Sequence, residues 1–205
     1  LVLVYLFIPI AVIVAFSFNE PRGKFNLTWK GFTLDNWADP FRYPQLTDAL
    51  ETSLRIAAVS TACAVVLGTL VAVALVRQRF RGSGGVDTFL VLPMTAPEVV
   101  MGASLLTLFI DLGWNRGFLT IVIAHIAFEV SFVALTVKAR LRGFDWTLED
   151  AAMDLGATPT RVFLRVTLPL ILPGIVAAAM LSFALSLDDF IITYFNSGST
   201  VTYPL

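Results

Sequence analysis

Four carboxylates and one histidine stand where the chain is otherwise apolar, and residues of these types at membrane depth suit the handling of cations better than the making of bonds. Glu98 follows Pro97 in the run PMTAPEVVMG, Asp188 and Asp189 adjoin at the end of LSFALSLDD, and His125 and Glu129 stand four apart in IVIAHIAFEV. An ionised group at the bilayer centre costs about 2.5–3.5 kcal/mol on insertion scales, so each calls for a partner or a task. Beside a proline-broken helix, the Glu98 carboxylate can face a pathway next to freed carbonyls. The plainer reading is a buried acid bonded to a neighbouring helix. Asp188 and Asp189 can cap a helix beginning Phe190-Ile191-Ile192, although two adjacent acids exceed what one cap needs. His125 and Glu129 share a helix face and resemble half of a metal site. No second histidine exists in the chain, which favours a buried polar pair joining helices.

Trp37, flanked by Asp35 and Asp39 in GFTLDNWADPFRYP, has two readings. With Trp29, Phe41 and Tyr43 it suits an interfacial aromatic belt; alone among its acids it suits the mouth of a cation pathway. No Walker-type glycine loop, Ser/His/Asp arrangement or zinc motif is present, so no catalytic residue and no metal ligand is assigned. The lone Cys63 excludes a disulfide within the chain and a thiolate metal cluster.

The elements that must position these groups follow from composition. The chain has 205 residues, 57% of them hydrophobic and 14% charged, and its mean hydropathy is +0.82, the profile of a polytopic membrane protein with the lipid bilayer as a partner. Its net charge of −1 argues against a nucleic-acid partner. Five stretches approach the roughly 20 apolar residues that a spanning helix needs, at 1–18, 56–76, 88–110, 117–137 and 166–187. Prolines 9, 93, 97, 169 and 173 mark kinks. Arg77, Arg79 and Arg81 follow the second stretch, and Lys138, Arg140, Arg142, Arg161 and Arg165 follow the fourth. By the positive-inside rule that side is the cytoplasm, which puts the N-terminus in the cytoplasm and the loop 19–51 outside. Gly68 is expected to let two helices approach closely.

One stretch breaks the pattern. Thr147-Leu148-Glu149-Asp150 has the form of a capping box, and Leu148, Ala151, Ala152 and Leu155 then make a narrow apolar stripe that ends at Gly156. Thr158-Pro159 restarts a helix through Val162, Phe163 and Val166. Two short helices at 147–165 joined by a glycine corner form a knob. It can dock on a protein partner, or lie among lipid headgroups with Arg161 and Arg165 toward anionic lipid.

A resemblance separates the two. Asp150-Ala151-Ala152, three residues, Gly156, nine residues, Val166, one residue and Leu168-Pro169 resembles the Glu-Ala-Ala motif of binding-protein-dependent ABC-transporter permeases. The departure is aspartate for glutamate, one methylene shorter, with Glu149 next door able to compensate. The segments YLFIPIAVIVAFSFN, GFTLDNW, RQRFRG and LSFALSLDDFIITYF are similar to the PotC-like, polyamine branch of that family. The resemblance implies an all-α transmembrane bundle of the type I importer fold, five spans here and a sixth beyond the C-terminal end, in a bacterial inner membrane. It implies a second permease subunit (PotB-like), a cytoplasmic ATPase pair (PotA-like) that binds the ATP and magnesium, and an extracytoplasmic polyamine-binding protein (PotD-like). This chain would itself hold no cofactor. Asp150, Ala151, Ala152, Leu155, Gly156 and Ala157 would couple to the ATPase, and Trp37, Glu98, Asp188 and Asp189 would form a carboxylate and aromatic trail for spermidine or putrescine. The same architecture could import iron, thiamine, sulfate or phosphonate. A different class, an ATP-independent channel or secondary transporter, would leave the knob resting on the membrane, and a membrane-embedded enzyme lacks a catalytic set.

Overall fold

The computed structural model describes residues 2–20, 26–78 and 81–205. Arg22, Lys24 and Arg79 of the charge pattern, and the middle of RQRFRG, lie outside the described residues. Regular structure within them is helical apart from one isolated bridge between Asn19 and Phe32. The chain divides into two units, Leu1–Asp48 and Ala49–Leu205.

In the first unit, helix α1 (Val2–Phe16) is apolar throughout and carries Pro9. Its fifteen residues extend about 22 Å at 1.5 Å per residue. The following loop folds around one buried side chain, because Asn19 offers a donor and an acceptor that a wide turn can surround. The Asn19 Oδ1 accepts the Lys30 N–H at 2.7 Å, and its Nδ2 donates to the Thr28 carbonyl at 2.9 Å. The one-turn helix α2 (Asp35–Ala38) closes the loop, with the Asn36 amide donating to the Ser17 and Asn19 carbonyls.

Helix α3 (Pro44–Arg77) begins well before the expected start at residue 56, so the loop 19–51 is shorter than the sequence suggests. Hydropathy hides this first part, where Asp48, Glu51 and Arg55 dilute the apolar signal; Glu51 and Arg55 pair one turn apart. The expected span 88–110 is two helices, α4 (Ser83–Thr95) and α5 (Glu98–Asp111), bent by 107°. Pro97 disfavours a helical Ala96, which sits at φ −68° and ψ 136°, and Pro93 has already removed one backbone donor inside α4. After α6 (Phe118–Leu141) and α7 (Thr147–Asp154) comes α8 (Pro159–Val162). A π turn (Phe163–Thr167) leads from it into α9 (Leu168–Asp188), and α10 (Ile191–Asn196) closes the order.

Among the described residues, α3, α6 and the continuous helical segment Pro159–Asp188 are long and apolar enough to cross a membrane, and the bent α4–α5 pair adds a fourth candidate. The second knob helix is therefore the root of the last span, where two separate elements were expected. Pro169 has no N–H for the carbonyl four residues back, and the widened π turn next to it relaxes that mismatch.

Packing in the second unit relies on small residues where helices meet. A Cβ on Gly68 would lie 2.7 Å from the Val133 Cβ, so the close approach of α3 and α6 at this point requires glycine. Gly174 of α9 likewise lies against the Arg140 stem. Ala64 and Ala72 of α3, Val133 and Val137 of α6, and Ile171 and Ala178 of α9 form the buried seam. A second cluster places Phe109 of α5 with Ala124 and Phe128 of α6 and Ile192 of α10.

Candidate functional site

The break between α4 and α5 opens a cavity of about 580 Å³. Glu98, Asp188 and Asp189 all line it, together with the rings of Phe128, Phe132 and Phe190. Glu98 is the first residue of α5, where the partial positive charge of the helix start favours a carboxylate. Asp188 ends α9 and Asp189 is its C-cap. Glu98 and Asp188 are exposed, whereas the Asp189 side chain is 7% exposed. The fourth residue of the expected trail, Trp37, lies in the first unit. Its ring stacks on Phe18 at 5.5 Å and its indole N–H donates to the Ser17 hydroxyl at 3.1 Å.

Asp189 is held by several donors at once. Its Oδ2 accepts the Thr193 N–H at 2.7 Å and the Thr193 hydroxyl at 2.8 Å, and lies 3.3 Å from the His125 Nε2. The capping of α10 expected of this pair of acids thus falls to Asp189. From His125 the polar contacts continue inward: Nδ1 is 2.7 Å from the Ser186 hydroxyl, which is 3.2 Å from the Ser60 hydroxyl. Ser60 donates to Glu129 Oε1 at 2.9 Å. His125 and Glu129 are both buried and are joined through Ser186 and Ser60, so the expected pair belongs to a longer polar chain across α3, α6 and α9. Sequence reasoning missed Ser60, Ser186 and Thr193. Ser182 and Ser186, one turn apart in an apolar helix, were the available signal.

The knob is built differently. Thr147 is the first residue of α7 and not its cap; Asp145 takes that role, its Oδ1 accepting the Thr147 hydroxyl at 2.7 Å and the Thr147 N–H at 3.1 Å. These bonds hold the Asp145 carboxyl below its usual range. The expected capping box is thus replaced by an aspartate two residues ahead that accepts both Thr147 donors. At the other end Gly156 adopts φ +82°, and the Ala157 N–H returns to the Ala152 carbonyl at 3.1 Å, the closed corner that a left-handed glycine makes possible. Asp150, Ala151, Leu155 and Gly156 are exposed, Ala152 and Ala157 half-buried. Leu155 is 90% exposed. Glu149, the neighbour of Asp150, is buried at the knob's root against Arg77 and Thr167.

Fold and site together define a multi-pass helical membrane protein with an acidic, aromatic cavity and an exposed helical corner. Residues 64–204 match the family described as "Binding-protein-dependent transport system inner membrane component", and the chain belongs to that family. It is 42% identical over 205 residues to the putrescine transport system permease protein PotI of Escherichia coli K12, covering 97% of this chain and 72% of the relative. It is 41% identical over 194 residues to the spermidine/putrescine transport system permease protein PotC of the same organism, covering 95% and 73%. The PotC of Haemophilus influenzae is 40% identical over 194 residues, covering 95% and 75%. Among solved structures, a bacterial ABC transporter involved in the import of the acidic polysaccharide alginate superposes with a TM-score of 0.70 over 99% of this chain and 76% of that one. At 18% identity this likeness concerns the fold.

Proposed function

We propose that the chain forms half of the translocation pathway of an ATP-driven importer for polyamines, spermidine or putrescine. The observation that carries the cargo is the convergence of Glu98, Asp188 and Asp189 on one cavity walled by phenylalanine rings. Separated carboxylates attract ammonium groups, and aromatic faces accept the cations and cover the methylene stems between them. An anionic cargo would meet repulsion from the same three groups. The names of the relatives, PotI and PotC, point the same way.

The partners are a second permease subunit, a cytoplasmic ATPase pair and an extracytoplasmic binding protein, of the PotB, PotA and PotD kinds. The knob lies in the cytoplasm, as does the N-terminus, and its exposed stripe ending at Leu155 seats in a groove of the ATPase. ATP and magnesium bind there, closure of the ATPase pair pulls the knob, and the helices rock so that the cavity changes its side of access. Weak binding at the carboxylates keeps release fast.

Uptake of labelled spermidine by vesicles holding the full-length chain with its partner permease, ATPase and binding protein tests this reading. ATP-dependent uptake competed by excess putrescine is the expected result. ATP hydrolysis stimulated by other solutes, with no spermidine uptake, would keep the importer and overturn the cargo.

A further inference from the structure

At the root of the knob one carboxylate joins three elements that sequence places far apart. Glu149 lies in the first turn of α7 yet is only 4% exposed. Its Oε2 accepts the Arg77 guanidinium from the last residue of α3, and its Oε1 accepts the Thr167 hydroxyl. Thr167 is fully buried and is the last residue of the π turn, immediately before α9. The Arg77 guanidinium also sits 5.9 Å over the Trp146 ring, just ahead of α7. A buried carboxylate with both oxygens engaged by charged or hydroxyl donors is a rigid joint, because releasing either partner leaves a buried group unpaired.

The position of this joint matters because of what lies beside it. The knob leads into α9 through the π turn Phe163–Thr167, a widened helical segment that yields more readily than the α-helix around it. A pull on α7 transmitted through that turn alone would be partly absorbed by it. Glu149 bypasses the turn, reaching Thr167 at its far end and Arg77 on a different span.

We propose that Glu149 is the positioning residue that fastens the knob to α3 and α9 together, so that displacement of the knob reaches both spans at once. The proposal rests on the docking reading of the knob. It separates two tasks within the knob: the exposed Asp150 and Leu155 face the partner, and the buried Glu149 faces this chain's own spans.

The test uses the full-length chain reconstituted with its partner permease, ATPase and binding protein, reading two quantities: ATPase retained on purification, and spermidine taken up per ATP hydrolysed. Glu149→Gln and Arg77→Gln should each retain ATPase to within about two-fold while uptake per ATP falls about 10-fold. The double exchange Arg77→Glu with Glu149→Arg should restore uptake per ATP to about a third of the unmodified ratio. Should Glu149→Gln fail to fold, Thr167→Val leaves the ion pair and removes one hydroxyl, with an expected fall of about three-fold. Unchanged uptake per ATP in the single variants would overturn the proposal. Loss of the ATPase in the single variants without recovery in the exchange would also overturn it, by making Glu149 part of the partner contact. An unmodified complex that retains no ATPase would instead defeat the docking reading underneath.

Discussion

The knob and the cavity invert hydropathy in opposite directions. Near Gly156, Leu155 and Ala151 face outward on a surface where water or a partner must meet them; around Glu98, carboxylates line a cavity among phenylalanine rings and alanines. The knob's corner is closed by local backbone bonds, from the Gly156 N–H to the Met153 carbonyl and from the Ala157 N–H to the Ala152 carbonyl. The cavity requires a bent α4–α5 pair, the end of α9 and the start of α10 to coincide. An exposed corner can thus be local, whereas acids in an apolar medium must be brought together by several helices that share the electrostatic cost.

The strongest way to break this comparison is Leu155→Asp. The side chain is 90% exposed, so folding should be nearly unaffected. Association with the ATPase should weaken by at least about 30-fold, the loss of a residue worth more than about 2 kcal/mol. Retained copurification would show that the outward apolar stripe is not a docking surface. Next in size, Glu98→Gln should lower polyamine uptake by about 10-fold while the amount of assembled complex stays constant, since the exposed carboxylate contributes charge and little packing. Equal uptake would remove Glu98 from the pathway.

Ser186→Ala sharpens the contrast between free and pinned acids. It cuts the contacts between His125 and Ser60 and should cost about 1 kcal/mol in denaturant unfolding of the detergent-solubilised chain. No change would mean that the polar chain contributes little to the junction. The smallest effect belongs to Asp145. Its carboxyl lies below the usual 3.8 because Thr147 donates to it, so its contribution is complete above that ordinary value and is lost as pH falls through the lower folded value. Protection of the α7 amides, taken relative to the intrinsic exchange rate at each pH, should fall as the pH drops below the ordinary carboxylate value, and Asp145→Asn should remove most of that dependence.

What could be read from the sequence follows the same division. The stretch Asp150–Pro169 was legible because its signals are local: an apolar stripe, a glycine stop, a proline restart. Even there the cap was misassigned, since the Asp145 carboxylate accepts both the Thr147 N–H and the Thr147 hydroxyl. Glu98, Asp188 and Asp189 stand out individually as acids in apolar runs, but their meeting depends on a 107° bend whose direction no proline can specify. Arg77 and Glu149 are separated by 72 residues, and an acid in a first helical turn reads as an ordinary surface charge until the fold buries it. The early start of α3 was lost for the opposite reason, because Asp48, Glu51 and Arg55 make a genuine helix look like loop.

Helix α9, beyond the π turn, has a mechanical meaning. Its twenty-one residues at 1.5 Å each make an arm about 32 Å long, with the Thr167 joint at one end and an acid of the cavity at the other. Tilting that arm by about 5° around its Leu168 end carries Asp188 sideways by about 3 Å, the length of a hydrogen bond. A small swing at the knob's root is enough to make or break a polar contact at the cavity.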